Sequence, residues 1–384
     1  MVAKTLSLKK FNTAVSVIIA VFFLSFNLYG QHESAQDHEE IKEGEFNASE
    51  MIMHHVSDAH EIHFVGEDRD GSSIAIYLPV ILKTNEGWDV FSSSNFYHNL
   101  VTHEDEHGEV HEFYQYKNYI LYHEHIYYAD AHSGIVLEHG HAVNAQPIDL
   151  SITKNVAGVF LAIFLLFLLL RATVKGYKKN KGHAPRGVQA VLEPLILFVR
   201  DDMVMPAFGY DKERAEKFMP FLLSTFFFIW TANMIGLIPF IGGFNITGTI
   251  SITIILASFV FIITTIKGNK AYWTHILWPP GVPAFVKPIL VPIEIASIFI
   301  KPIVLMVRLT ANIMAGHIII LAFVSLILIF GAQSATLGYS VGVGSTLFMV
   351  FMYFIELLVA FLQAYVFTLL ASIYFGDATQ TAKH

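Results

Sequence analysis

Two long stretches of this sequence contain no Asp, Glu, Lys or Arg, and they constrain its fold more than any other feature. One covers 49 positions, from 218 to 266, and the other runs from 309 to 355. A membrane span needs about 20 apolar residues, so each stretch is long enough to contribute to more than one span. Only 15% of the chain is charged, against about 25% in a typical soluble domain. The sequence therefore predicts a polytopic membrane protein.

Charge is divided unevenly along the chain. Residues 31–150 carry 23 Asp and Glu against 4 Lys and Arg, whereas the rest of the chain carries 9 against 20. The same acidic segment holds 15 of the 19 histidines. The absence of cysteine excludes disulfides and thiolate ligands. We therefore expect two domains, a His-rich acidic domain at 31–150 and a membrane domain at 151–384.

The first 30 residues have the pattern of a secretory signal peptide. Three lysines precede an apolar run at 14–26, and cleavage near Gly30 is expected, with an uncleaved membrane anchor as the alternative. In both cases the segment that begins at residue 31 and precedes the next span is expected to lie outside the cytoplasm. The first span after it, 155–170, is followed by a basic cluster that the positive-inside rule places in the cytoplasm. The two signals independently predict a periplasmic domain at 31–150.

This domain is expected to be small, extramembrane and partly β. Residues 73–78 and 119–122 have the composition of short strands. Four histidines are weak candidates for a zinc or copper site, because their spacing would place two imidazoles on one helical face: His60, His63, His107 and His111. The alternative is a solvated acidic surface whose histidines only buffer protons, since imidazole titrates near about 6.5.

The membrane domain is expected to contain about five membrane helices. Besides 155–170, the stretch 218–266 should form a hairpin of two spans, with a turn signal at 242–245. Residues 188–204 mix apolar and charged positions, which predicts an amphipathic helix on the inner membrane surface. The proline-rich stretch 273–292 is expected to be an irregular connector.

The last two segments, about 292–331 and 345–375, are too long for untilted spans. At about 1.5 Å per residue the first would reach about 60 Å, twice the hydrocarbon thickness of a bilayer. It should therefore be strongly tilted, partly interfacial or broken. The glycine-rich stretch 331–344 is expected to be a loop on the outside, which leaves the C-terminus in the cytoplasm. The predicted fold class is an all-α polytopic membrane protein with a pair of long tilted C-terminal helices.

Arg308 is a charge at the head of the uncharged stretch 309–355. A guanidinium stays protonated in apolar surroundings, and a charge near the middle of a span costs about 3 kcal/mol. Such an Arg either snorkels to the head groups or faces a partner or a water path. Four residues share one helical face at about 100° per residue: Glu294, Lys301, Arg308 and Asn312. An ion pair between Glu294 and Lys301 is one interpretation of that face.

His317 and Glu356 are the other notable ionisable residues of this region. His317 follows Arg308 by nine positions and so points the opposite way on a helix. Glu356 and Gln363 are seven positions apart and nearly eclipsed. A carboxylate in apolar surroundings is either neutral or paired with a cation, and His317 is the obvious partner for Glu356. The pair is either a proton relay or a static hydrogen bond between helices.

Together these residues resemble one family, the bacterial type of subunit a of the F-type ATP synthase. The resemblance is carried by residues 308–317, with the sequence RLTANIMAGH, and by 356–367. Supporting matches lie at 233–239, where Asn233 and Pro239 are expected to be packing or kink features, and at 294–302. The arrangement of His317 and Glu356 follows only some members, because others have the two exchanged. The resemblance covers about 150–378 and says nothing about 31–150.

The resemblance implies a stator subunit of a membrane motor, not an enzyme, because catalysis in that family occurs on other subunits. It would provide two proton half-channels to and from the carboxylates of the c-ring, with Arg308 separating them. The outer half-channel would involve His317, Glu356, Asn312 and Gln363, and Glu294 would line the inner one. Expected partners are the c-subunit ring, peripheral-stalk b subunits, other ATP synthase subunits and membrane lipid. No nucleic acid and no cofactor are expected, and the expected location is the bacterial inner membrane.

Two other classes of protein, a metal-ion transporter and a membrane enzyme, would show different sequence features. A metal-ion transporter with a His-rich external capture domain would carry paired His and Asp ligands inside its spans, often in repeated halves. The membrane half has one central His and no visible repeat. A membrane enzyme would need a cluster of catalytic or metal-binding residues on the spans, and none is evident in the sequence.

Overall fold

The computed structural model describes residues 48–65, 74–104, 110–130, 134–138, 141–238 and 243–380. The predicted signal peptide at 1–30 and the candidate ligand His107 lie outside the described residues. The described chain divides into two compact units. One comprises 48–159 with 238 and 243–245, and the other comprises 160–237 with 246–380.

The first unit is built mainly from antiparallel strands. It begins with helix α1, Ala48–Val56, and has a short helix α2, Ser94–Tyr97. Its strands are β1 Glu61–Val65, β2 Ile74–Tyr77, β3 Pro79–Thr84, β4 Gly87–Ser92, β5 Leu100–Glu104, β6 Val110–Tyr116, β7 Tyr119–Tyr122, β8 His125–Tyr128, β9 Leu137–Glu138, β10 His141–Ala142 and β11 Ile148–Asp149. Strands β5–β6–β7–β8 form one sheet, β11–β3–β4 a second, and β1–β2 and β9–β10 form pairs. Strands β2 and β7 occupy the two predicted strand positions.

Strand β7 lies at the centre of this unit's core, and all four of its residues are buried. Successive side chains of a strand point to opposite faces of the sheet. Leu121 accordingly belongs to a cluster with Leu82 and Phe96, while Ile120 belongs to another with Phe113. The four-stranded sheet is therefore covered with apolar side chains on both faces.

The first unit ends in the first turn of helix α3, Lys154–Lys179. The carboxylate of Asp58 accepts a hydrogen bond from the backbone N–H of Asn155 and another from the hydroxyl of Thr153, both at 2.8 Å. A helix N-terminus has N–H groups without intrahelical partners. Asp58 therefore caps α3 from a distant part of the sequence. Burial raises the pKa of Asp58 in spite of these hydrogen bonds.

A second polar pair, the buried His60 and the half-buried Asp149, joins β11 to the residues before β1. The Nε2 atom of His60 is 3.3 Å from Oδ2 of Asp149. Burial alone would lower the pKa of His60, but the hydrogen bond and charge of Asp149, with the charges of Glu124 and Asp58, raise it overall. Burial likewise acts to raise the pKa of Asp149, but His60 and hydrogen bonds from Ser151 lower it overall. The two groups therefore form an ion pair.

This ion pair predicts a fold that is less stable at alkaline pH. A His with a raised pKa stabilises the fold fully below its unfolded pKa of about 6.5, and the contribution is lost as the pH rises through the folded pKa. Asp149 does not add to this pH dependence. Its lowered pKa stabilises the fold at every pH above about 3.9, and this contribution to stability is lost only as the pH falls below that value. The unfolding temperature of the full chain in detergent should therefore fall as the pH rises from about 6 to about 9.

Replacement of the buried histidine tests this prediction. His60→Gln should flatten the dependence of the unfolding temperature on pH in that range. His125→Gln, at an exposed histidine of β8, is the matched control and should leave the dependence as it is. An unaltered pH dependence in His60→Gln would contradict the assignment.

Five helices of the described chain are long and apolar enough to cross a membrane, the number expected. They are α3, α6 Lys212–Gly236, α7 Ile250–Lys267, α9 Lys287–Gln333 and α10 Ala335–Thr379. The remaining helices are α4 Val188–Phe198, which continues as a π-helix over Val199–Val204, α5 Met205–Ala207 and α8 Lys270–Leu277. The predicted hairpin of two spans corresponds to α6 and α7. Residues 188–204 are helical throughout, as expected for an amphipathic helix, and one face of this segment is buried.

The predicted glycine-rich loop at 331–344 is wrong, because Ser334 alone separates α9 from α10. Its backbone is extended, with φ −164° and ψ 148°, and its hydroxyl accepts a hydrogen bond from the N–H of Leu337 at 3.3 Å. A Cβ atom on Gly338 would lie only 2.7 Å from Cα of Gly331. Gly338 is therefore needed for the close approach of the two helices, as small residues often are in membrane proteins.

The prediction that 273–292 is irregular is correct only for its central part. Helix α8 extends to Leu277 and α9 begins at Lys287, so the connector is 278–286. Pro288 lies in the first turn of α9, where its missing N–H would have had no partner in any case. Helix α9 is continuous over 47 residues, which excludes a broken helix. At about 1.5 Å per residue it is about 70 Å long.

Candidate functional site

His317 on α9 and Glu356 on α10 come together between the two long helices, as the sequence predicts. The Nδ1 atom of His317 is 3.5 Å from Oε1 of Glu356. The carboxylate is buried, and its Oε2 atom has no hydrogen-bond partner among the described residues. A buried carboxyl oxygen without a donor is energetically costly, so an unsatisfied polar group remains at this contact between the helices.

Gly316 makes room for this carboxyl group. A Cβ atom at position 316 would collide with Oε1 of Glu356 and would lie 2.9 Å from its Cδ and 3.0 Å from its Cγ. These distances are shorter than real Cβ contacts allow. The sequence analysis included Gly316 in the matching segment but gave it no role. Its role is to let the Glu356 side chain cross the surface of α9 beside His317.

Gln363 lies two turns after Glu356 on α10, and its side chain is also buried. Ala360, between the two, is buried as well, so one face of α10 carries all three residues toward the interior of the unit. Asn312 on α9 is exposed. In the described part of the chain, no hydrogen bond joins Asn312 to His317, Glu356 or Gln363. The structure therefore brings together His317 and Glu356 but leaves Asn312 on the surface.

Arg308 is half-buried near the middle of α9 and forms no ion pair with any residue that the structure describes. It lies more than about 30 Å from each end of the helix at about 1.5 Å per residue, too far for the side chain to reach an end. The charge of Arg308 acts on the hydroxyl of Tyr374 on α10. The next two residues, Leu309 and Thr310, are buried. Arg308 thus borders the packed interior of the second unit, and no carboxylate of the described chain neutralises it.

Glu294 and Lys301, the other charges on α9, do not form the ion pair considered in the sequence analysis, although the structure describes both. Lys301 instead places its Nζ atom 5.3 Å from the ring centre of Tyr374. An ammonium group over an aromatic face is favourable. Sequence reasoning missed Tyr374, which contacts Lys301 and is influenced by the charge of Arg308. Its only signal in the sequence was its position near the end of the last helix.

Asn233 on α6 joins three segments of the second unit. Its Nδ2 atom donates a hydrogen bond of 3.1 Å to the carbonyl of Ala360 on α10. Its Oδ1 atom accepts a hydrogen bond from the hydroxyl of Thr247. The prediction that Asn233 is a packing residue is confirmed. Because Ala360 lies between Glu356 and Gln363, Asn233 also fixes the part of α10 that carries them.

Loss of this amide should destabilise the helix packing. Asn233→Ala leaves the carbonyl of Ala360 and the hydroxyl of Thr247 without their partner, which should lower the free energy of unfolding by about 1–3 kcal/mol. Thermal unfolding in detergent measures the effect. Asn312→Ala is the matched control, because that amide is exposed, and it should leave the unfolding temperature nearly unchanged. Equal unfolding temperatures for the two variants would contradict the role of Asn233.

The three candidate metal ligands that the structure describes, His60, His63 and His111, lie in or beside strands, so the helical geometry assumed for them is wrong. His60 precedes β1, and His63 lies within β1 with its Nδ1 atom 3.4 Å from Oε1 of Glu61. His111 lies in β6, directly opposite His103 of β5. Among the described residues, no group of three or more His, Asp or Glu side chains is arranged to hold a metal ion.

Two known protein families match this chain, each over a separate range of residues. Residues 156–376, more than half of the chain, match the family model described as ATP synthase A chain. Residues 51–150 match a model described only as a domain of unknown function.

Several curated relatives match the membrane part. ATP synthase subunit a 2 of Chlorobaculum tepidum is 42% identical over 239 residues, which are 60% of this chain and 64% of the relative. ATP synthase subunit a of Chloroherpeton thalassium is 38% identical over 62% of this chain and 69% of the relative. The Myxococcus xanthus protein of the same name is 37% identical over 62% and 76%. The chain thus spans just under two thirds of the first relative's length. It belongs to the ATP synthase A chain family, and the six predicted site residues all lie within the matched range.

Proposed function

We propose that this chain is the stator subunit of an ATP synthase membrane motor and provides two proton half-channels to and from the carboxylates of a c-subunit ring. The observation that carries the proposal is the separation of charges on α9. Arg308 has no carboxylate partner in the described chain, while His317 on the same helix is 3.5 Å from a buried carboxylate of α10. A fixed positive charge and a separate ionisable pair are the two parts that such a motor requires.

Arg308 acts on the ring carboxylate as it passes. A positive charge close to a carboxyl group favours the ionised form and so releases its proton. The same charge repels a proton that would otherwise pass directly from one half-channel to the other. One proton that crosses a potential of 100 mV releases about 2.3 kcal/mol, so several protons must be coupled to each ATP.

His317 and Glu356 form the proton-carrying part of the outer half-channel, with Gln363 and Asn312 as polar supports. The buried Oε2 atom of Glu356 lacks a hydrogen-bond partner in the described chain, so it is free to accept a hydrogen bond from water or from another group on the route. Glu294, half-buried in the earlier part of α9, lines the inner half-channel. These groups line a polar route through otherwise apolar helices.

The surfaces of the two long helices are consistent with a large partner. In the apolar 18-residue segments that would cross the membrane, only 17% of the residues of α9 and of α10 are buried, against 78% of those of α6. The c-ring and lipid cover these faces in our proposal, and peripheral-stalk b subunits complete the complex. We place the chain in the bacterial inner membrane, with a cleaved signal peptide at 1–30, a periplasmic domain at 31–150, the membrane domain at 151–384, and a cytoplasmic C-terminus.

A double-mutant cycle tests the proposed route. ATP-driven acidification of vesicles that carry the complex should fall strongly in His317→Ala and in Glu356→Gln. Because the two groups act on one proton path, the double variant should pump about as well as the weaker single variant. Additive losses, or normal pumping in Glu356→Gln with the complex intact, would contradict the route.

A further inference from the structure

The three-stranded sheet β11–β3–β4 of the first unit carries an exposed apolar surface. Ile148 lies opposite Lys83, which lies opposite Trp88, and Ile81 lies opposite Val90. Residues directly opposite each other in antiparallel strands point to the same side. Trp88, Val90 and Ile148 expose 62%, 61% and 49% of their surface. We call this surface the apolar face and define it as Ile148, Leu150, Ile81, Lys83, Trp88 and Val90.

The other side of the same sheet is already filled. Val80 and Leu82 of β3 are fully buried in the domain core. Asp89 of β4 is bound by the ammonium group of Lys117 at 2.9 Å. The apolar face is therefore the outward side of the sheet, and an outward side normally carries polar residues.

The composition of the apolar face is unusual for this domain. Residues 31–150 contain 23 acidic and 4 basic residues, yet none of the six residues of the apolar face is acidic and one is Lys. Exposed contiguous apolar surface in a folded protein marks a site of interaction. Acidic residues are absent from this one surface of an acidic domain, which indicates that the apolar face is covered in the assembled protein.

Only a short segment of chain connects this sheet to α3. Strand pairing continues past β11, because the N–H of Leu150 donates to the carbonyl of Ile81 at 2.9 Å and that of Ile152 to Pro79 at 3.1 Å. Helix α3 begins only two residues later, at Lys154. At about 3.3 Å per residue, Ile148 is at most about 20 Å from the start of α3. A membrane that α3 crosses is therefore within reach of this sheet.

The residue types of the apolar face suit the head-group region of a bilayer. Trp is enriched at the boundary between lipid and water, and Lys extends its ammonium group toward the head groups while its alkyl chain lies on apolar surface. The Nζ atom of Lys83 is 5.9 Å from the ring centre of Trp88, so the two types occur side by side. We propose that the apolar face lies on the lipid surface of the membrane next to α3. This inference depends on α3 as a membrane span and not on proton translocation.

Site-directed spin labelling tests this inference, because the chain has no cysteine of its own. Val90→Cys places a nitroxide on the apolar face, and Thr102→Cys places one at an exposed position of β5 as the matched control. The full chain is reconstituted into vesicles of phosphatidylethanolamine and phosphatidylglycerol. Collision rates are then measured with molecular oxygen, which concentrates in lipid, and with a neutral nickel chelate, which stays in water. The ratio of the two rates should be several-fold higher at position 90 than at position 102.

Two outcomes would overturn the inference. Equal ratios at the two positions would place the apolar face in water. A label at position 90 that is shielded from both reagents would mean that protein covers it, and loss of spin–spin broadening on dilution with unlabelled chain would identify a second copy.

A charged variant supplies an independent check. With the nitroxide at Ile148→Cys, the additional change Trp88→Glu should lower the collision ratio toward the value of the control, because a carboxylate at the bilayer surface is unfavourable. Both positions are exposed, so the fold should tolerate the changes. No change in the ratio would overturn lipid docking. Proton pumping by the intact complex is a separate readout, so failure of this inference is distinguishable from failure of the proposed function.

Discussion

Arg308→Ala is expected to abolish ATP-driven proton uptake by vesicles that carry the complex. Without the guanidinium, nothing on α9 favours the ionised form of a passing ring carboxylate, since Lys301 lies two turns away against Tyr374. In the proposed motor, no fixed charge would then separate the two half-channels. ATP hydrolysis by the catalytic subunits should continue in part while proton uptake, followed by the quenching of a pH-sensitive dye, falls to background.

A control at another cation makes this result specific. Arg171→Ala removes an exposed guanidinium from the end of α3 and should leave proton uptake close to normal. Arg308→Lys keeps the charge but not the planar fork, and it should be intermediate or inactive. Normal uptake in Arg308→Ala would show that this charge is not part of the motor.

Gly316→Ala should disrupt the site as strongly as removal of a charge, although it adds only one methyl group. The new Cβ atom would occupy the space of the Glu356 carboxyl group, 2.9 Å from its Cδ atom. Because the carboxyl is buried against α9, it must leave the side of His317 or push the helices apart. Overpacking of this kind destabilises by about 1–3 kcal/mol. Proton uptake should fall to a small fraction of normal.

The same helix provides the control for this prediction. A Cβ atom at Gly331 has no neighbour within 4 Å, so Gly331→Ala should leave uptake nearly unchanged. The shorter side chain of Glu356→Asp should partly restore uptake in the Gly316→Ala background, because it withdraws the carboxyl from the added methyl group. Equal uptake in the Gly316→Ala and Gly331→Ala variants would exclude the proposed contact.

The arrangement of His317 and Glu356 could be predicted from the sequence because both helices are regular. Helical periodicity fixes which residues share a face once a segment is known to be helical. It placed Glu356 and Gln363 together, and both are buried. The apolar composition of the stretch 309–355 made the helical assignment secure, since a backbone in lipid must satisfy its own hydrogen bonds.

The turn between the two long helices could not be predicted in the same way. A glycine-rich stretch in an apolar sequence indicates either a loop or a close contact between helices. Only the proximity of Gly338 to Gly331 distinguishes the two, and that contact depends on how α9 and α10 pack. The sequence gives no local signal that Ser334 alone would separate them.

The histidines of the first unit illustrate a different limit. Their helical spacing suggested metal binding, but His63 and His111 lie in strands. In a strand, residues three apart point to opposite faces, and residues four apart share a face but are about 13 Å apart. The ion pair between His60 and Asp149 joins residues 89 positions apart. Such long-range pairs depend on the folded topology, and periodicity in one segment does not contain that information.

Passive proton flux through the membrane sector tests the central claim most directly, because it requires no catalysis. Vesicles that carry the complex, stripped of its catalytic subunits, are subjected to a potassium diffusion potential, and proton uptake is recorded. With Glu356→Gln, uptake should fall to the level of vesicles without the complex, while Arg171→Ala should conduct as the unmodified chain does. Flux through Glu356→Gln equal to that of the unmodified chain would contradict a proton path through the pair of His317 and Glu356.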